Sequence, residues 1–101
     1  MSAEPTLEQW NLQHVALSQA ILGVISSNVR MVWLNHQEDE WVIHFVLERD
    51  DALDREDIDD AVTQFEALQD RAIGCRAEVT IESRDLNWPI PPARVVFRRK
   101  D

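Results

Sequence analysis

The stretch "EWVIHFVLE", residues 40–48, constrains the fold more than any other. It is rich in β-branched and aromatic residues and reads as a strand. Side chains alternate across a strand. Trp41, Ile43, Phe45 and Leu47 therefore share one face, and Val42, His44 and Val46 the other. Neither face is strongly polar, so the back of the sheet is expected to be partly covered or to meet a partner. "NVRMVWLNH", residues 28–36, reads as a strand too, and the polar "NHQEDE" between them is short enough for a hairpin loop.

Two helical patterns flank this hairpin. Before it, Leu7, Trp10, His14, Leu17, Ile21 and Val24 or Ile25 recur at helical spacing. Thr6 and Gln9 can form a capping box, and Gly23 with "SSN" should end the helix near residues 22–26. After the hairpin, Asp54 is the expected N-cap of a second helix, with Leu53 and Ile58 as a hydrophobic staple. Its expected buried stripe is Ile58, Ala61, Val62, Phe65, Leu68 and Ala72. "CRAEVTIES" reads as a third strand and "ARVVFRR" as a fourth, separated by the proline-rich "RDLNWPIPPA". The order α-β-β-α-β-β predicts an α+β two-layer sandwich over residues 1–101, with two helices on one face of a four-stranded, mainly antiparallel sheet. The crossover through the second helix can bring one parallel pair into that sheet.

The most charged segment is "LERDDALDREDIDDA", residues 47–61. It holds eight carboxylates, Glu48, Asp50, Asp51, Asp54, Glu56, Asp57, Asp59 and Asp60, against Arg49 and Arg55. Acids in a first helical turn meet the positive end of the helix dipole, worth about 0.3–1 kcal/mol each when exposed. That accounts for two or three of them, because close like charges repel. Over the whole chain Asp plus Glu exceed Lys plus Arg by 19 to 10. Phosphate contacts need Lys and Arg, so nucleic-acid binding is not expected. A basic protein partner fits the charge, with simple solubility as the competing explanation. The tail "RVVFRRK" is expected to pair internally with the acidic surface.

No catalytic or metal signature emerges. His14, His36 and His44 lack the spacing of a zinc site, and Cys75 has no CxxC partner. A Cys75–His44 pair is the one nucleophilic arrangement left open. The acidic stretch has no central glycine and fails as a calcium loop. Lys100 lies at the extreme C-terminal end, a poor place for a catalytic amine. No cofactor is expected. Of the four tryptophans, Trp10 and Trp41 fall on apolar faces, while Trp88, among prolines, is the candidate exposed anchor. A single cysteine, a start "MSAEPTLEQW" without a signal-peptide pattern, and no apolar run of membrane length lead to the expectation of a cytoplasmic protein.

"HVALSQAILGVISSNVRMVWL", followed by "DEWVIHFVLE", "LDREDIDDA", "NWPIPPARV" and "FRRK", resembles small bacterial immunity proteins of contact-dependent growth inhibition and related polymorphic toxin systems. "VISSN" departs from the acidic residue and proline found there in such proteins. The resemblance implies a non-enzymatic protein that binds and neutralises a cognate toxin domain, expected to be basic because many such toxins are nucleases. Asp50, Asp51, Asp54, Glu56, Asp57, Asp59, Asp60 and Trp88 would meet that partner, from a monomer or weak homodimer. A structural or regulatory protein that self-associates through its sheet back (Val32, Leu34, Val42, His44, Val46) is the alternative.

Overall fold

Thr6 starts the first helix as its spacing predicts. Its hydroxyl accepts from the Gln9 amide at 3.1 Å, and the Gln9 side chain accepts from the Thr6 amide at 2.8 Å. Such a cap contributes about 1 kcal/mol. The computed structural model describes residues 4–100; Met1–Ala3 and Asp101, the ends of the expected domain, lie outside the described residues. Within it α1 spans Leu7–Ala20, β1 Val29–Gln37, β2 Glu40–Leu47, α2 Ala52–Ala67, β3 Cys75–Ile81 and β4 Arg94–Arg98. α1 stops slightly earlier than expected, with Ile21 as its C-cap and Gly23 turning the chain at φ +89°. β1 and β2 are joined by a two-residue turn, in which Glu38 and Asp39 both take positive φ, 51° and 65°. Turns of this kind favour Asn-Gly; here two acids hold the conformation instead.

The sheet order is β3-β2-β1-β4. β1 pairs antiparallel with β2 and β4, while β2 and β3 run parallel. The parallel pair follows from the crossover, because α2 must carry the chain back to the start of the sheet. Both helices cover one face. Val32 and Leu34 of β1 and Trp41, Ile43, Phe45 and Leu47 of β2 meet Trp10, Leu17 and Ala20 of α1 and Ile58, Ala61 and Phe65 of α2. Trp10 packs edge-on against Trp41 at 5.0 Å, and the Arg94 guanidinium lies 5.5 Å from the Trp10 ring. The observed stripes differ from the expected ones. Leu7 is exposed and Gln13 is buried in its stead, because Gln13 and Gln69 exchange amide hydrogen bonds at 2.8 and 2.7 Å. A buried amide is tolerated when its donors and acceptors are satisfied. α2 ends at Ala67, so Leu68 becomes the C-cap and Ala72 falls outside the helix.

The back of the sheet is covered from within the chain. A bulge at Arg30 interrupts the β1–β2 register between Val29 and Met31. It turns Arg30 away from the helices, and its guanidinium donates to the Glu82 and Arg84 carbonyls, the first at 2.6 Å. Arg98, paired with Met31, lies over the Trp88 ring at 4.9 Å. These contacts lay the proline-rich connection, residues 82–93, across the side opposite the helices as it passes from one edge strand to the other. Met31, Val42 and Val46 face that side and are buried. Val32 and Leu34 face the helices instead. The sheet back expected to self-associate is therefore largely occupied already.

Candidate interaction surface

The carboxylates of residues 48–60 divide into two sets. The first holds the fold. Asp51, and not Asp54, is the N-cap of α2: its side chain accepts from the Asp54 amide at 3.0 Å. Asp54 is 7% exposed and accepts from the Asn28 side chain at 2.8 Å. Asn28 also donates to the Arg49 carbonyl at 2.7 Å and accepts from the Arg49 amide at 3.0 Å. One buried asparagine thus fastens the start of β1 to the segment that enters α2. Asp50 pairs with Arg55 at 2.6 Å, and Glu48 with Arg99 at 2.8 Å. The hydrogen bond from Arg55 holds the Asp50 carboxyl below its ordinary range, and Arg99 does the same for Glu48. The basic tail pairs internally, as expected, through Arg99, which also donates to the Ser27 carbonyl at 2.7 Å.

The second set faces outward, with Glu56, Asp59 and Asp60 exposed and Asp57 half-buried at the edge of the helix's outer side. Glu56, Asp57, Asp59 and Asp60 form no ion pair among the described residues. Leu53, Glu56, Asp57 and Asp60 stand at i, i+3, i+4 and i+7, so they share one side of α2. Asp59 is rotated about 100° from Asp60, toward the other flank. Leu53 is 71% exposed and does not staple the helix start. It is an apolar side chain set among free carboxylates, which sequence reasoning missed. Its spacing from the three acids was the available signal. Asp54, by contrast, is withdrawn from the surface.

Trp88 is 60% exposed and Ile90 84%. Trp88 lies beside Arg98, the neighbour in sequence of the Arg99 that binds Glu48. The start of α2 and Trp88 therefore sit at the same end of the sheet, one on each side of it. His44 stacks on Trp33 at 3.6 Å, with its Nδ1 3.4 Å from a Glu78 oxygen. Burial pulls the His44 pKa down against the pull of Glu78. Cys75 pairs with Trp41 and points to the helix side, whereas His44 points to the back. The two stand on opposite faces, so the Cys75–His44 pair expected as a possibility does not form. Burial, with Glu66 and Glu40 nearby, pushes the Cys75 thiol up to about 11. Among the described residues no group of three His, Cys, Asp or Glu could hold a metal ion. No helix among them is long and apolar enough to cross a membrane.

The arrangement sets solvated negative charge around one apolar side chain, with an exposed aromatic at the same end of the sheet. Residues 12–101 match the family model described as MafI2 immunity protein. No curated protein matches the chain.

Proposed function

The chain belongs to the MafI2 immunity protein family, and on that premise we propose that it neutralises a cognate toxin domain by binding it in the cytoplasm, without turnover of its own. The partner is a basic protein of the nuclease kind, whose phosphate-binding surface the outward carboxylates imitate. The observation that carries this reading is the outward set on α2, Glu56, Asp57, Asp59 and Asp60, which have no internal ion pair among the described residues. Asp50 and Asp51 add field at the helix start while keeping their internal partners. Asp54 contributes charge but no contact, because it is buried.

Charge and anchoring have separate jobs here. Complementary fields raise association to about 10⁸–10⁹ M⁻¹s⁻¹ at low salt, against about 10⁵–10⁶ without steering. Apolar anchors that lose water in the complex then set dissociation. Leu53, exposed among the acids, and Trp88, exposed at the same end of the sheet on its other side, fill that role. Co-expression of the chain with the toxin domain encoded beside it, followed by capture at low salt, tests the reading. A stoichiometric complex that restores growth is the expected result. No complex at low salt refutes it.

A further inference from the structure

We propose that the outer face of α1 is a self-association surface, on which a second copy of this chain packs its own α1 antiparallel. α1 is apolar on two sides. Its inner side supplies Trp10, Ala16, Leu17 and Ala20 to the core. Its outer side carries Leu12, Val15, Gln19 and, in the turn just past the helix, Leu22. Leu12 is 61% exposed, Val15 56% and Leu22 77%. The spacing of these four is 3-4-3, that of successive a and d positions of a helix–helix seam.

Two observations select a second copy as the occupant. First, none of the chain's charged residues lies between Gln9 and Val29. A chain of net charge −9 repels its copies nearly everywhere, and this face is where two can meet without opposing carboxylates. A basic toxin has no charge to answer here, and the acids of α2 draw it elsewhere. Second, 3-4-3 reads the same in both directions. A two-fold axis passing near Leu17 therefore sets Leu12 against Leu22 of the second copy, and Val15 against its Gln19. That is the self-complementarity an isologous contact requires, and it also sets the helix dipoles antiparallel. A groove of about 330 Å³ beside Leu22, lined by Ile21, Ile25, Val96 and Phe97, widens the apolar footprint.

Sedimentation velocity of the full chain from micromolar to millimolar concentration tests the proposal. The mass should rise from 11.7 kDa toward twice that value. Val15→Glu should weaken association at least about tenfold by placing a charge in the seam, while Ile90→Glu, on the opposite side of the sheet, should leave it unchanged. A monomer at every concentration overturns the proposal, as does a dimer indifferent to Val15→Glu or broken by Ile90→Glu. Direction is read by cross-linking in a Cys75→Ser background. Chains with Leu12→Cys mixed with chains with Leu22→Cys should give the mixed disulfide in excess. Excess of the two same-site disulfides overturns the antiparallel arrangement.

Discussion

Asn28→Ala should destabilise the protein by about 3–5 kcal/mol, although the residue lies outside every apolar stripe. The magnitude follows from what the side chain holds. It makes two bonds with the Arg49 backbone, at 2.7 and 3.0 Å, each worth about 0.5–1.5 kcal/mol. It makes a third, at 2.8 Å, to the buried Asp54 carboxylate, in the class worth about 1.5–3 kcal/mol. Truncation leaves that carboxylate without its donor in a site closed to water, which is the costly kind of loss. A small domain is stable by only about 5–15 kcal/mol, so the variant should sit near the edge of folding. Urea unfolding followed by tryptophan fluorescence measures the change in midpoint at constant slope. Asp60→Ala, a few residues along the same acidic segment, should move stability by no more than about 0.5 kcal/mol. A cost below about 1 kcal/mol for Asn28→Ala, or an equal cost for Asp60→Ala, would refute the division of the carboxylates into fold-holding and outward sets.

Three further outcomes follow from the same geometry. Because burial depresses the His44 pKa below its unfolded value, the folded state binds fewer protons; stability is full above pH about 6.5 and falls as pH drops toward the folded pKa. His44→Gln should flatten that part of the stability–pH curve, and an unchanged slope counts against it. Cys75, with its thiol at about 11 against an ordinary 9.0, should be alkylated by iodoacetamide near neutral pH about a hundredfold more slowly than an unhindered thiol, and denaturant should restore the rate. Replacing Glu38-Asp39 by Asn-Gly should stabilise the hairpin by about 1 kcal/mol in the same urea assay, since both positions need positive φ.

The element order was legible because the period of the apolar residues switches clearly from helix to strand and back. The capping box at Thr6 and the parallel pair were legible for the same local reasons. What the sequence concealed depends on residues far apart. Asp51 and Asp54 are equally good caps by type; Asn28, more than twenty residues away, selects between them by drawing Asp54 into the interior. Gln13 reads as a solvent residue until Gln69 is seen to satisfy it. Trp33 and His44 were within reach, because a two-residue turn at 38–39 fixes the register that sets one across from the other. Of the expected contact residues, Trp88 is exposed as anticipated, and the acids of the segment split according to whether the fold had a use for them.

The measurement that bears most directly on that split is stopped-flow association with the cognate toxin domain over a range of salt concentrations. Wild type should associate near the steered limit at low salt and slow steeply as salt is added. Asp57→Lys with Asp60→Lys should slow association by an order of magnitude or more and flatten the salt dependence, with the urea midpoint unchanged. Wild-type rates and salt slope in that variant would contradict the account, leaving the outward carboxylates of α2 as solvated charge alone.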